Sequence, residues 1–458
     1  MTLLAFLFLF VAVAAGYVLN RSAASEIKAG GSRLHSLTVF HGLYSALVVG
    51  LAGFALLIFW MMLQGTLIDR VTLSSLPPEE IAALDDNTRS LALTEIRSIA
   101  DGQVFGTPDP WKITAAERLT SLRNTSSWAM VITLVALCSG LIMFARSRVA
   151  AGFRARHGVE RIVLGLMIGC STIAIFTTVG IILSLTFETI KFFRLVPVQE
   201  FLFGLRWEPQ IAIRADQVAG AGAFGVIPVI LGSIVIMTIA LVVAVPVGLL
   251  SGIYLNEFAS RGFRRVAKPI LEILAGVPTI VYGFFAILVV APFLRSSGQA
   301  LGLDVTPNTA LAAGICMAIM LIPFISSFAD DALSAVPQSM RDGSLALGAT
   351  RSETVLKVLF PAAIPGIVGG VLLAVSRAIG ETMIVVMAAG IIAKLTINPL
   401  DTVTTVTVQI VTLLIGDTEF DNPKTLAAFA LGSLLFLITL CINVYALRIV
   451  RKYREQYD

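Results

Sequence analysis

From Val226 to Asn256 the chain reads VIPVILGSIVIMTIALVVAVPVGLLSGIYLN, 31 residues without one charged side chain. A helix crosses the roughly 30 Å hydrocarbon layer of a bilayer with about 20 apolar residues. In lipid the backbone must satisfy its own hydrogen bonds, and a single segment can do that only as a helix. This stretch is longer than crossing requires, so it predicts a tilted span or one that extends into the interface.

Working outward from it, eight further apolar runs are long enough to span, at about 2–19, 38–63, 126–145, 162–186, 269–294, 308–328, 363–393 and 426–447, with the first run making nine at 226–256. The composition agrees: 57% of the 458 residues are hydrophobic, only 14% are charged, and the mean hydropathy is +0.90. Soluble domains carry about 25% charged residues. The expected fold is therefore an all-α polytopic membrane protein. The net charge of +4 is small and its basic residues sit in short clusters beside apolar runs, which excludes a nucleic-acid surface. Cys138, Cys170, Cys316 and Cys441 lie inside apolar stretches without CxxC or Cys/His spacing, so packing is their expected role. His35, His41 and His157 show no metal-ligand spacing, and no nucleophile–base or paired-carboxylate arrangement is present. No cofactor and no chemistry within the chain are expected.

Short loops rich in Arg and Lys stay on the cytoplasmic side. Arg146, Arg148, Arg154, Arg156 and Arg161 crowd one connection. If that loop is cytoplasmic, alternation also puts Arg21, Lys28, Arg33, then Arg261, Arg264, Arg265, Lys268, and finally Arg448, Arg451, Lys452, Arg454 inside. The N-terminus is then outside and the C-terminus cytoplasmic, as in a multi-pass protein of a bacterial inner membrane. The first run ends in Ala12-Val13-Ala14-Ala15, which resembles a signal-peptide end, but no basic residue precedes it and Arg21, Lys28 and Arg33 follow it. Retention as an anchor is the reading those basic residues favour.

Two parts of different character result. Residues 1–160 form an N-terminal extension with three predicted spans and an external insertion at 65–125, which carries nine acidic and six basic residues. Its Pro77-Pro78-Glu79-Glu80 and Asp85-Asp86 read as loop and capping material. Residues 161–458 form a six-span core with a long loop at 329–362. That loop reads VPQSMRDGSLALGATR over 336–351 and continues through Glu353, Lys357, Val358 and Phe360 to Pro361. Leu345, Leu347, Val355, Leu356 and Leu359 suggest two short helices, with Gly348 free to take the left-handed turn that ends the first. Such a unit is either a docking knob or an amphipathic connector lying on the membrane; the pattern alone fits both.

The loop resembles the EAA motif of bacterial ABC-importer permeases, in which an acidic residue is followed six places later by glycine, and later by an aliphatic residue and a proline. Asp342, Gly348, Val358 and Pro361 fall in that register. Asp replaces Glu at the first position, Gly343-Ser344 replace two alanines, and Phe360 stands where leucine is usual. The resemblance implies that residues 341–361, including Arg341, Asp342, Gly343, Ser344, Gly348, Ala349, Val358 and Pro361, couple a cytoplasmic ATPase to the membrane helices. The chain has no GxxxxGK[ST] phosphate loop, so ATP hydrolysis is expected on a separate polypeptide. An ATPase dimer and a second permease subunit are the implied partners.

In the eighth run, Ser376-Arg377-Ala378-Ile379-Gly380-Glu381-Thr382-Met383 places an arginine and a glutamate four residues apart, on one helical face and close enough to pair. Charges inside a membrane segment are costly and functional by default. A structural ion pair would account for them too. A guanidinium offers a planar fork of donors suited to an oxyanion, and a carboxylate beside it is able to hold or release that fork. Arg377 through Met383 resembles the RALGET(M) signature of permeases of the phosphate-specific importer. Phe224-Gly225-Val226-Ile227-Pro228, Tyr254-Leu255-Asn256-Glu257, Leu274 to Gly283, and Phe203 to Pro209 with Trp207 are similar to the same family. The resemblance covers about 162–455 and favours a PstC-type subunit over its PstA-type partner, chiefly through the Trp-containing segment. It implies a phosphate path past Arg377 and Glu381, with Ser376 and Thr382 beside them. The implied partners are a PstA-type permease, a PstB-type ATPase dimer, a periplasmic or extracellular phosphate-binding protein, phosphate and membrane lipid.

Lys268 and Glu272 are spaced as an interfacial i,i+4 pair, and Thr279, Tyr282, Ser326 and Ser327 read as ordinary helix hydroxyls. Two rival readings stay open, beside a weaker third in which the chain is a sensor that reports phosphate status through its partners without much flux. The anion could be sulfate or molybdate, since an arginine does not choose among tetrahedral oxyanions. The chain could also be a secondary carrier driven by an ion gradient.

Overall fold

The computed structural model describes residues 2–74, 86–103, 108–210, 222–415 and 422–454. Pro77 to Glu80 and Asp85 lie outside them, while Asp86 opens a helix. Nine helices among the described residues are long and apolar enough to cross a membrane. The fold is all-α, with one two-residue strand pair as its sole sheet among those residues. The chain divides into two compact units, residues 1–176 and 177–458.

In the first unit, α1 (Thr2–Ala29), α2 (Thr38–Ser74) and α4 (Pro110–Ser147) are the spans. α1 buries Ala5, Leu9, Ala12, Gly16, Asn20 and Ala24, a stripe in which four of the six residues are Ala or Gly, at three- and four-residue spacing. Without a hydrophobic force between helices in lipid, such stripes let backbones approach and gain dispersion contact. Gly53 of α2 faces Leu9 and Cys138, and Asn20 donates to Ser45 at 2.9 Å across the pair. Much of the insertion is helical. α2 and α4 run on past their apolar stretches and hold α3 (Asp86–Ala100) through Ile68, Ile96, Ala115, Ala116 and Leu119. Cys138 and Cys316 are buried as expected, but Cys170 and Cys441 are exposed, so packing explains only the first two.

The second unit is built on α7 (Ile227–Ile253) and α11 (Ala310–Ser334). Before them come α5 (Ala155–Leu195), whose second half belongs to this unit, α6 (Val198–Phe203), and the strands β1 (Trp207–Glu208) and β2 (Ala223–Phe224). α7 buries Gly232, Ile236, Ala240, Ala244, Gly248 and Gly252, one residue every four. A Cβ at Gly252 would stand 2.7 Å from Ala329 Cβ of α11, so nothing larger than glycine fits that approach. The sequence deciding the fold thus also sets a close helix contact. α17 (Pro423–Arg454) is the last span, and Thr189 of α5 reaches it through Ser433 at 2.7 Å.

Two spans differ from the apolar runs. The sixth was expected at 269–294, but residues 261–275 form a separate amphipathic helix, α8 (Arg261–Ala275), and the membrane helix begins at Thr279. It comprises α9 (Thr279–Phe285), a π-helical turn at Ala286–Val290 and α10 (Ala291–Ala300). Gly276-Val277-Pro278 separates α8 from α9, because Pro278 disfavours helical backbone at the residue before it. The eighth span was expected unbroken over 363–393; instead it starts earlier and breaks in the middle. After α12 (Gln338–Ala346), the continuous helix runs from α13 (Arg351–Thr354) through a π turn at Val355–Leu359 into α14 (Phe360–Ile379). The second of the two expected short loop helices is therefore the start of this span. Beyond the break lie α15 (Met383–Ala388) and α16 (Val406–Leu414).

Candidate functional site

The break in the eighth span falls where the local sequence holds a helix poorly. Gly380 is a poor helix former, and the two residues after it carry side chains that compete for the backbone. The Glu381 carboxylate accepts from the Ile384 N–H at 3.3 Å, and the Thr382 hydroxyl donates to the Gly380 carbonyl at 3.3 Å. Arg377 is thus in the last turn of α14, while Glu381 lies beyond it. The expected i,i+4 ion pair does not form: no ion pair among the described residues joins Arg377 to Glu381. A pair at that spacing requires one continuous helix, and the helix has ended.

The two charges consequently sit in different surroundings. Glu381 is 9% exposed, and its backbone carbonyl accepts the Thr407 hydroxyl at 2.9 Å. Arg377 is exposed, with its guanidinium carbon 5.8 Å from the centre of the Phe324 ring of α11. The aromatic face holds the cation while leaving its edge donors available. Ser376 is half-buried one residue before it, and Thr382 is half-buried at the break. Chemically, the arrangement can take up an anion at the guanidinium.

Sequence reasoning missed the element that carries Glu381 from behind. Residues 402–409 read TVTTVTVQ, and Thr404, Thr405, Thr407 and Gln409 are all buried. Gln409 accepts from Trp207 Nε1 at 2.8 Å and donates to the Ile391 carbonyl at 2.7 Å and Thr404 Oγ1 at 3.1 Å. α16 is too short to span, so its polar residues tie the broken helix to the Trp207 segment. The signal available was the density of hydroxyls in an apolar run.

A second missed residue is Asp330 of α11, 3% exposed. It accepts from Asn256 Nδ2 at 2.7 Å, an Arg264 Nη at 2.8 Å and Lys268 Nζ at 2.7 Å. Asn256 belongs to a π-helical turn, Tyr254–Phe258, that ends the α7 span. The expected Lys268–Glu272 pair is therefore replaced, because a buried carboxylate competes better for the ammonium than an exposed one on the same helix. Asp330 also holds Lys268 above its ordinary lysine range through their hydrogen bond. The sequence signal was an acidic residue, Asp330, at the end of a membrane run.

The loop residues gather around α12. Arg341 pairs with Glu257 of the π turn, and Asp342 accepts from Gln338 at 3.3 Å. Gly348 has φ +88°, in the left-handed region, and lets the chain reverse toward Thr350. Thr350 and Glu353 form a reciprocal capping box, and Ser344 meets Thr354 at 3.0 Å across the turn. Between the two arms lies an open cleft of about 490 Å³, lined by Ser339, Met340, Gly343, Leu347, Glu353 and Lys357 among others. Leu347 is 91% exposed at its tip. Ala349 is half-buried in the turn, while Val358 and Pro361 lie in the π turn and at the start of α14. Gly348→Val is expected to destabilise this turn by about 1–2 kcal/mol, because a β-branched residue pays the left-handed penalty that glycine avoids. A Cβ there would touch nothing, so the penalty is conformational alone and should show as a lower midpoint of thermal unfolding.

Residues 244–455 match the family described as "Binding-protein-dependent transport system inner membrane component", and residues 6–177 match one described as "Phosphate ATP-binding cassette transporter". The chain is 34% identical over 279 residues to the "Probable ABC transporter permease protein YqgH" of Bacillus subtilis, covering 60% of this chain and 85% of the relative. It is 34% identical to the "Phosphate transport system permease protein PstC" of Mesorhizobium japonicum, covering 49% and 72%, and 31% identical to that of Haemophilus influenzae, covering 51% and 78%. Among solved structures it is similar to the MetNI methionine ABC transporter at TM-score 0.37 and 24% identity, over 50% of this chain and 94% of that one. A bacterial alginate ABC transporter matches at TM-score 0.45 and 15% identity, over 65% and 96%. On the strength of these permease relatives, the chain belongs to the PstC-type permease subunits of the binding-protein-dependent transport system inner membrane family.

Proposed function

We propose that this chain is the membrane permease of an ATP-driven phosphate importer, a transporter subunit whose ATP is hydrolysed on a separate chain. One observation carries the reading. The helix that starts beside the coupling turn at Arg351 continues through its π turn for 29 residues and carries Arg377 in its last turn, just before the break. At 1.5 Å per residue it is a rod of about 43 Å. A displacement of the turn by a closing ATPase dimer therefore reaches the anion site as a rigid movement. Arg341, Asp342, Gly343, Ser344, Gly348, Ala349, Val358 and Pro361 form the coupling end; Arg377, Glu381, Ser376 and Thr382 form the path end.

Residues 161–458 are the transport core and residues 1–160 an extension of it, with the coupling loop cytoplasmic, the N-terminus outside and the C-terminus inside. A PstA-type permease, a PstB-type ATPase dimer and a periplasmic or extracellular phosphate-binding protein complete the system in an inner membrane. Phosphate is favoured over sulfate or molybdate because the named relatives of the PstC type are phosphate transport proteins. The test is uptake of labelled phosphate by membrane vesicles carrying the chain with its ATPase and second permease, with sulfate in excess. ATP-dependent uptake that sulfate does not suppress is expected. Uptake that persists without the ATPase and collapses with the proton gradient would assign the chain to the secondary carriers.

A further inference from the structure

Helix α8 buries none of its 15 residues. At 100° per residue Phe263, Val266, Ile270 and Ile273 share one face, and they are 52%, 61%, 52% and 71% exposed. Arg261, Arg264, Arg265 and Lys268 occupy the opposite face. Arg264 and Lys268 are held by Asp330, whereas Arg261 and Arg265 enter no ion pair among the described residues. These cations, with Pro269 and Glu272, line an open hollow of about 440 Å³.

The helix joins the spans Ile227–Phe258 and Thr279–Ala300. Two consecutive spans begin and end at the same membrane surface, so α8 is tethered there at both ends. At roughly 22 Å it is too short to cross the bilayer. An apolar face on one side and unpaired guanidinium groups on the other is the composition of a helix lying in the interface plane, attracted to anionic lipid. We propose that α8 is an anionic-phospholipid binding surface. Its apolar face inserts at the acyl boundary, and Arg261 and Arg265 take headgroup phosphates. A protein partner covering the helix would have to bury the exposed apolar face, and lipid phosphate answers both halves of the surface at once. On the same face Arg264 and Lys268 donate to Asp330, eight residues before α12 begins at Gln338.

The test uses the assembled transporter, with its ATPase and second permease, in vesicles of phosphatidylcholine with or without phosphatidylglycerol. Ile270→Trp is expected to add a fluorescence component quenched by brominated lipid, a readout independent of which anion is carried. Absence of that quenching means a protein covers the face and overturns the proposal. ATP hydrolysis by the parent is expected to rise with the phosphatidylglycerol fraction. In Arg261→Gln/Arg265→Gln the fraction giving half the stimulation should increase about tenfold or become unreachable, with hydrolysis in pure phosphatidylcholine unchanged. An identical lipid response in parent and double variant would remove the arginines from lipid recognition and overturn it as well.

Discussion

Arg377→Gln is expected to lower phosphate uptake at least about a hundredfold, the loss that follows from removing a charge-assisted, forked contact to an oxyanion. Glutamine keeps much of the length and some hydrogen bonding but neither the charge nor the planar fork. Because Arg377 is exposed and its described contact is the Phe324 ring, the substitution should cost the fold no more than about 1 kcal/mol. The coupling turn lies at the far end of the same helix, so ATPase co-purification should be unchanged. Arg377→Lys restores the charge without the fork and should recover only part of the uptake. Normal uptake by the glutamine variant would take Arg377 out of the path. Reduced ATPase binding would mean that the two ends of the helix are not separable.

Asp330→Ala is expected to produce the largest loss of stability. Asp330 is the one acceptor shared by Asn256, Arg264 and Lys268, and removing it strands two cations beside a buried site. Breaking a buried pair typically costs about 3–5 kcal/mol. Both cationic side chains are themselves about a third exposed, at 37% and 36%, and can turn toward water. The expected cost therefore falls to about 2–3 kcal/mol. The midpoint of thermal unfolding in detergent should drop by several degrees, and Asp330→Glu should recover part of it. Since the cluster joins the π turn after α7, α8 and α11 shortly before α12, ATP hydrolysis and uptake should also become less tightly linked in the alanine variant. An unchanged midpoint would show that the three donors find water as readily as they find Asp330.

Among the site residues, those that a local pattern can specify were legible. Gly348 reads as a left-handed turn because no other residue takes that backbone without penalty, and the structure places it at φ +88°. The nine helices long enough to span, among the described residues, follow from apolar length alone. The Arg377–Glu381 spacing was misleading because it presumes helix continuity, which depends on whether Glu381 and Thr382 find better partners off the helix than on it. Thr407 supplies one of those partners from 26 residues further along. Lys268 was assigned to Glu272 by spacing and went to Asp330 by burial.

The amino-acid sequence by itself determined that this protein lives in a membrane, that nine apolar runs are long enough to cross it, where the reversing turn of the loop falls, and which charges lie inside apolar runs. Those properties are set by transfer free energy and by the backbone preferences of single residues, both of which act locally. Only the tertiary structure decided that the eighth span breaks at Gly380, that Gln409 joins Trp207 to the broken helix, and that Asp330 gathers three donors from two other elements. Partners of a buried polar group are chosen by which groups packing brings within hydrogen-bond reach, and residues such as Trp207 and Gln409, 202 positions apart, meet only when the helices have closed around them.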